Sequence, residues 1–213
     1  MSQVQETQPM DLTSANVVVP SILAGISIGI AALCNLKGGQ YIGAALFAFG
    51  LGTVVCSKWY LFTGMIGFIK DKETTWKALI SLPLNAIGVV LACFLAAGMG
   101  VSVTESATTI AKVRLTMTPV QLILMGAGCG FIMTASVYHA RKGQWIPLLF
   151  GIPTFIMCGF PHCVADITYY YLSDYDWSDF GMAWLYSVIG NAIGCNIPSA
   201  SRFFKNKNKK KTE

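Results

Sequence analysis

Residues 155–162 of the chain read FIMCGFPH, an apolar run that ends in a glycine, a phenylalanine, a proline and a histidine. Pro161 lacks a backbone N–H and biases Phe160 away from the helical conformation, so a helix through this segment is predicted to break here. The run lies inside residues 143–165, which contain no Asp, Glu, Lys or Arg. A broken helix in so long an uncharged stretch is the feature from which the fold class follows.

Five other stretches are also free of charged side chains: residues 12–36, 38–57, 78–104, 115–140 and 180–201. Because a helix rises about 1.5 Å per residue, about 20 apolar residues cross the hydrocarbon core of a bilayer. Charged residues make up 12% of the 213 positions, about half the share that is usual in soluble domains. The sequence therefore predicts a polytopic integral membrane protein, and it excludes a soluble enzyme or a nucleic-acid-binding protein.

Six membrane spans are predicted, at about residues 17–36, 40–69, 78–100, 117–140, 145–172 and 180–203. The second span is interrupted at residues 57–64, SKWYLFTG, and the fifth at residues 158–162. Non-helical backbone at membrane depth persists only where it is buried in protein or faces a water-filled cavity. Interruptions at corresponding places in two halves of a chain indicate a substrate pathway between them.

The two halves of the chain resemble each other weakly. The tetrapeptide NAIG occurs at residues 85–88 in the third span and again at residues 191–194 in the sixth. With three spans in each half, the second half is inverted relative to the first. The predicted organisation is a polar N-terminal segment at 1–16, a six-span transport domain at 17–203 with halves 17–104 and 105–203, and a basic tail at 204–213.

Basic residues are concentrated on one predicted side of the membrane. Six spans place both termini on that side, together with Arg141, Lys142, Arg202 and the basic tail. Cytoplasmic loops carry an excess of Lys and Arg, so both termini are predicted to be cytoplasmic. The tail is interpreted as a topology anchor, with contact to anionic lipids as the alternative.

His162 is the candidate functional residue, because ionisable side chains at membrane depth usually line pathways and a histidine proton moves near neutral pH. The alternative is a packed, hydrogen-bonded histidine without a role in transport. Asp166 follows one helical turn later, where it either fixes the imidazole tautomer or is a buried hydrogen-bond partner. Lys58 and Arg114 are expected within reach of an outer vestibule, unless they are interfacial side chains with buried stems.

Motifs of enzymes and metal sites do not occur in the sequence. It contains no H-E-x-x-H, G-x-S-x-G or P-loop pattern, and its seven cysteines are scattered singly. Gly126, Gly128 and Gly130 lie inside an apolar span, which favours close helix packing over dinucleotide binding. His139 is interpreted as an ordinary helix-end residue. We therefore predict neither an enzyme nor a resident metal or cofactor.

Several longer motifs resemble, in order and in spacing, those of the formate/nitrite transporter family. They are YLFTG at 60–64, RLTMTPVQLILMGAGC at 114–129, WIPL at 145–148, GFPHCVAD at 159–166 and IGNAIG at 189–194. The resemblance implies an all-α integral membrane fold, with an aquaporin-like protomer of six transmembrane helices, an inverted three-plus-three repeat and interrupted spans two and five. It also implies a homopentamer with one pore in each subunit.

The same resemblance implies the site residues. His162 corresponds to the family's central pore histidine, Thr63 to the threonine of the loop that faces it, and Asn191 to the asparagine of the last span. The apolar side chains of the two constrictions correspond to Leu51, Phe62 and Phe155, with Phe47 nearby.

Four positions depart from the family pattern. Arg114 replaces the usual lysine, which keeps the charge but not the ammonium group. Pro161 stands where an acidic residue usually precedes the histidine. Gly130 and Asp166 stand where asparagine is common, and Asp166 is expected to supply a carboxylate from a different direction.

The predicted function is transport of small monovalent anions of weak acids across the plasma (bacterial inner) membrane, with formate first and nitrite or hydrosulfide as alternatives. The predicted partners are the anion, protons, the lipid bilayer and further copies of the chain. Arg114 and Lys112 concentrate anions at the outer mouth, while Thr63 and Asn191 offer hydrogen bonds inside. His162, as an imidazolium, then donates a proton that neutralises the anion. The rival is a passive channel for small neutral solutes in which His162 is structural.

Overall fold

The computed structural model describes residues 17–98, 100 and 102–209, except for the side chains of residue 40 and of residues 201–209. All regular elements among these residues are helical. The predicted N-terminal segment 1–16 and the last four residues of the basic tail lie outside the described residues. The side opposite the start of the first helix is called the outer side below.

Ten α-helices follow one another along the described chain: α1 (Val18–Gly38), α2 (Ala44–Leu46), α3 (Ala48–Cys56), α4 (Phe62–Met65), α5 (Lys72–Gly98), α6 (Thr104–Thr116), α7 (Pro119–Ala140), α8 (Ile146–Met157), α9 (Asp166–Leu172) and α10 (Trp177–Lys209). A π-helical turn at Gly39–Gly43 joins α1 to α2, and a 3-10 turn at Ile66–Phe68 extends α4.

Within the described residues, α1, α5 and α7 are both long and apolar enough to span a membrane. Two shorter apolar helices cover Tyr41–Cys56 and Ile146–Met157. These five correspond to the first five predicted spans, and α10 covers the sixth. Because α10 continues to Lys209, the predicted boundary between the transport domain and the tail does not coincide with a helix end.

Helix α6 is an element that the span pattern does not predict. It is a short helix with mixed polar and apolar residues, and it packs against α9. Its buried residues are Ala107, Ala111 and Arg114, which share one face because their spacings are four and three. The helix therefore carries the Arg114 side chain inwards from the outer side.

Two helix pairs form the framework, α1 with α5 and α7 with α10. A Cβ atom on Gly88 would lie 2.1 Å from the carbonyl oxygen of Ile22, and one on Gly194 would lie 1.9 Å from that of Ala127. Only glycine allows two backbones to approach so closely. Gly88 and Gly194 end the two NAIG tetrapeptides, so the sequence repeat reflects equivalent packing in the two inverted halves.

The second and fifth spans break in the same way. At the end of α3 the N–H groups of Lys58 and Trp59 turn back to carbonyl groups of the last helical turn, and Gly159 and Phe160 do the same at the end of α8. Lys58 has φ 56° and Gly159 has φ 67°, the left-handed residue of a Schellman motif. The chain then stays non-helical until Phe62 and until Asp166, respectively, so both predicted interruptions are present.

Candidate functional site

The break between α8 and α9 presents His162 to the interior of the protein, where this residue is 1% exposed. Its Nε2 lies 3.0 Å from Oγ1 of Thr63. Thr63 is in α4, directly after the break in the second span. The two interruptions therefore meet, and they bring together the two residues that were predicted to form the centre of the pore.

The hydrogen bonds of His162 define its tautomer. The backbone N–H of Ala165 donates to Nδ1 at 3.1 Å. A neutral imidazole has one N–H and one acceptor nitrogen, so Nδ1 is the acceptor and the hydrogen sits on Nε2, where it points to Oγ1 of Thr63. His162 is thus held as a neutral side chain, and its protonation at Nδ1 requires the Ala165 hydrogen bond to open.

Two asparagines hold the backbone on either side of the breaks. Asn191 accepts the N–H of Cys163 at 2.8 Å and donates to the carbonyl of Pro161 at 2.8 Å and to that of Gly126 at 3.0 Å. The residue between the two clamped groups is His162. Because these bonds occupy the amide of Asn191 with backbone partners, its side chain positions the break, in contrast to the hydrogen bond to substrate that was predicted.

Asn85 makes the equivalent clamp in the first half. It accepts the N–H of Phe62 at 2.9 Å and donates to the carbonyls of Tyr60 and Ser21, both at 2.8 Å. The residue between the clamped groups is here Leu61, which is fully buried. The inverted repeat thus places an apolar side chain and an ionisable one at equivalent positions, and only the second half carries a proton-exchanging group there.

Apolar rings adjoin the imidazole. The ring centroid of Phe155 lies 5.8 Å from that of His162, and Phe47 contacts Phe155 edge-on with centroids 5.9 Å apart. Leu51 and Phe62, the other predicted constriction residues, are buried in the same apolar core. The histidine is therefore surrounded by side chains that disfavour an unpaired ion.

Arg114 does not face the outer solution. Its residue is 5% exposed, its Nε lies 3.3 Å from Oδ2 of Asp166, and its Nη1 donates to the carbonyl of Gly159 at 2.8 Å. The predicted role of Arg114 in attracting anions from the solution is contradicted by this geometry, because a neighbouring carboxylate cancels most of its long-range field. The guanidinium instead ties α6 to the break that carries His162.

Asp166 is 1% exposed and begins α9. One prediction for it was that its carboxylate fixes the imidazole tautomer. The Ala165 N–H performs that role, while the carboxylate faces Arg114. Asp166 is therefore a buried partner of the arginine, and its backbone N–H donates to the carbonyl of His162 at 2.8 Å.

A cavity of about 190 Å³ lies between α6, α9 and the break that joins α8 to α9. Thr109 and Val113 are exposed residues of its lining, whereas His162, Phe155 and Asp166 are buried ones. Liquid water takes about 30 Å³ per molecule, so the cavity has room for a small anion together with water. It leads from the outer side to the imidazole.

The two predicted lysines lie elsewhere. Lys112 is exposed and does not line the cavity, since it precedes Arg114 by two residues and points about 200° away from it around the helix axis. Lys58 occupies the turn that is equivalent to Gly159 in the inverted half. Equivalent turns of an inverted repeat face opposite sides of the membrane, so the prediction that Lys58 adjoins the outer vestibule is wrong.

Two polar residues of the cavity were missed from the sequence. Asn35 of α1 donates from Nδ2 to the hydroxyl of Tyr169 at 3.1 Å, across 134 positions of the chain. An amide inside an otherwise apolar span is a signal that marks Asn35. Nothing in the sequence marks Tyr169, because only the packing of α9 against α1 brings it there.

A larger cavity of about 450 Å³ lies between α5, α9 and α10. Its described lining is apolar or aromatic apart from the hydroxyl of Tyr170, and includes Trp177, Phe180 and Trp184. No charged side chain or histidine is among these described lining residues, whereas the smaller cavity is lined by His162, Arg114 and Asp166, so the smaller cavity is the candidate site.

Two broken helices that meet at a buried histidine, within an inverted repeat of membrane-spanning helices, define the protomer of a membrane channel or transporter. The formate/nitrite transporter family model matches residues 3–200, and the chain belongs to this family, whose members are transporters.

The solved structures that are similar to it include two channels. One is described as an "FNT family ion channel", is 21% identical over 88% of either chain and has a TM-score of 0.78. The other is a "Pentameric formate channel with formate bound", 18% identical over 90% of this chain and 96% of that one, with a TM-score of 0.77. At these identities the likeness establishes the fold. A comparison with curated proteins gives no match.

Proposed function

We propose that this protein carries small monovalent anions of weak acids across the membrane, with formate as the first candidate and nitrite or hydrosulfide as alternatives. The proposal is supported by family membership and by the fold that the chain shares with a pentameric formate channel. In this mechanism His162 gives the anion a proton between two apolar constrictions.

The physical problem of such a pore is the cost of moving an ion through an apolar ring. An isolated ion loses on the order of tens of kcal/mol of hydration energy in a medium of low dielectric constant, and proteins usually neutralise the group instead. A weak acid becomes neutral by taking one proton. Chloride gains nothing from a proton donor, so a site of this kind selects weak-acid anions.

The observation that carries the proposal is the contact between His162 and Thr63 at the meeting point of the two breaks. The donor state is the imidazolium. It forms when Nδ1 takes a proton and no longer accepts the hydrogen bond from the N–H of Ala165. The Nε2 proton then passes to the anion, and the remaining proton on Nδ1 leaves a neutral imidazole. Thr63 accepts from Nε2–H at rest, and its hydroxyl is free to reorient towards the anion.

Other residues support this centre. Asn85 and Asn191 hold the two breaks, while Phe155 and Phe47 keep the surroundings apolar. Lys112, as an exposed cation of α6, raises the concentration of anions near the outer mouth.

Assembly and orientation belong to the same proposal. The protein forms a homopentamer with one pore in each subunit, in the plasma membrane of a bacterium, with both termini in the cytoplasm. The transport domain comprises residues 17–203 with two inverted halves, and the flanking polar and basic segments lie on the cytoplasmic side.

One observation favours a rival function, a passive channel for small neutral solutes. His162 has a partner on each ring nitrogen while neutral, as a purely structural histidine would. Purified protein in liposomes separates the two functions. We expect formate flux that greatly exceeds glycerol flux, with water flux near that of empty liposomes. Rapid glycerol or water flux without formate flux would establish the rival.

A further inference from the structure

Among the residues that the structure describes, the buried carboxylate of Asp166 has an ion-pair partner, Arg114, but no hydrogen-bond donor. Neither Oδ1 nor Oδ2 accepts a hydrogen bond within the described part of the chain, although Arg114 Nε lies 3.3 Å from Oδ2. An ionised carboxylate has about four acceptor sites, and a buried polar group without partners is costly. The position of this side chain therefore indicates that water donates hydrogen bonds to the carboxylate.

The cavity of about 190 Å³ adjoins this carboxylate and also His162. A buried water needs two to four polar partners, and the cavity offers Asp166, Asn35, Thr109 and Tyr169. Thr109 is exposed on the outer side, so water that fills the cavity would link the carboxylate to the outer solution and to the imidazole of His162, which lines the same cavity.

We propose that Asp166 is a proton relay, which takes a proton from the outer solution and passes it through cavity water to Nδ1 of His162. This inference rests on the proposed function, because it names the source of the proton that His162 donates. In the first step a hydronium ion protonates the Asp166 carboxylate and leaves water. In the second step the carboxylic acid returns to carboxylate and Nδ1 gains a proton. The hydrogen bond from the Ala165 N–H to Nδ1 breaks at the same time.

Arg114 fits both states of the relay. Its Nε stabilises the carboxylate that remains after the proton has moved to the histidine. Its Nη1 is bonded to the carbonyl of Gly159 at 2.8 Å, so the guanidinium keeps its position while Asp166 is neutral. The break that carries His162 is thus held during the transfer.

Few charged groups lie near Asp166 and His162 apart from Arg114. The titratable groups that face Asp166 from its own segment and from neighbouring elements are His162, Cys163, Tyr169, Tyr170, Cys129 of α7 and Arg114 of α6, with Cys93 of α5 next to Thr168. Thiols and phenols are neutral near pH 7. The charge of the relay therefore rests on Asp166 and Arg114.

The test compares initial formate uptake by proteoliposomes at an external pH of about 5 and of about 8, on either side of the unperturbed histidine pKa of about 6.5. Asp166→Asn keeps the shape and removes the exchangeable proton. We expect about a tenfold or larger loss near pH 8, by analogy with general acid catalysis. Near pH 5 the loss should be much smaller, because abundant hydronium reaches the histidine without a relay. Asp166→Glu should restore the wild-type pH profile.

A second variant separates the relay from the ion pair. Asp166→Asn leaves Arg114 buried without a counter-charge, whereas the double change Arg114→Gln with Asp166→Asn removes both charges. The relay requires the same pH-dependent defect in the double variant, provided that it assembles as the wild type does. Recovery of uptake in the double variant would overturn the relay. So would either of two results in Asp166→Asn, an equal loss at both pH values or a wild-type pH profile. If His162→Asn keeps wild-type uptake, the proposed function itself fails.

Discussion

Thr63 and His162 hold each other in place across the two breaks, and their contact gives the first prediction. Thr63→Val keeps the shape of the side chain but removes the acceptor of the Nε2 hydrogen. A buried donor without a partner costs about 1–3 kcal/mol, so we expect a lower unfolding temperature and formate uptake reduced by about tenfold or more.

Thr63→Ser is the matched control, because it keeps the hydroxyl and loses only a methyl group. It should retain most of the uptake. Similar loss in the valine and serine variants would show that packing around residue 63, and not its hydroxyl, is what matters. Uptake is measured as initial rates in proteoliposomes with equal amounts of assembled protein.

At this scale the sequence was informative about residue identity and less so about residue role. His162 stands out because it is ionisable in an apolar span, and Thr63 was found through the family resemblance. The roles of Arg114 and Asn191 could not be predicted, since each depends on a partner far along the chain. Arg114 meets Asp166 only because α6 folds back over α9, and Asn191 meets Pro161 and Cys163 only across the break.

The helix breaks depend on their asparagine clamps, and this yields a prediction at the scale of elements. Asn191→Ala leaves the Cys163 N–H and the carbonyls of Pro161 and Gly126 without their partner, at about 1–3 kcal/mol for each group that stays unpaired. We expect a large drop in the unfolding temperature in detergent. Asn85→Ala should behave alike, because its clamp is equivalent.

Asn196 on the same helix provides the control. It is exposed, and its side chain donates to the carbonyl of Ala192 at 2.8 Å and to that of Ile66 at 3.3 Å, so its loss removes one long contact to another segment near the surface, whereas Asn191 holds three buried groups. Asn196→Ala should therefore lower the unfolding temperature only slightly. An equal effect of the Asn191 and Asn196 changes would contradict the clamp.

Glycine contacts between α7 and α10 lead to a second prediction at this scale. A Cβ at Gly194 would lie 1.9 Å from the backbone of Ala127, whereas one at Gly181 meets nothing within 4 Å. Gly194→Ala should force the helices apart and reduce both stability and assembly. Gly181→Ala, in the same helix, should be neutral or stabilising by up to about 1 kcal/mol from helix propensity. Thermal unfolding of both variants checks this, and a stable Gly194→Ala protein would contradict the packing.

Elements were predictable where the signal is local. Long apolar runs mark α1, α5 and α7. Gly159 and Pro161 mark the break in the fifth span. Helix α6 was not predicted, because its polar residues resemble those of a connection. The break in the second span begins at Lys58, a residue that adopts the left-handed conformation at a cost of roughly 1–2 kcal/mol. Tertiary packing, and not local preference, stabilises that turn.

The whole molecule exposes large apolar side chains on the outside of its helices. Phe94 and Leu95 of α5, Leu124 of α7 and Phe150 of α8 are each more than half exposed. In a membrane such side chains face lipid or neighbouring subunits, and the proposed assembly covers part of them. We expect native mass spectrometry in mild detergent to show five copies of the chain, as in the pentameric relative. A monomer that still transports formate would contradict this prediction.

The central claim is that His162 gives the anion its proton, and formate uptake as a function of external pH tests it most directly. His162→Asn keeps a hydrogen-bonding side chain without proton donation, and His162→Phe keeps much of the ring volume. Each 1.4 kcal/mol of uncompensated desolvation slows passage about tenfold, so both variants should lose uptake by orders of magnitude between about pH 5 and 8 while they assemble normally. Wild-type uptake with an unchanged pH profile in His162→Asn would contradict the claim.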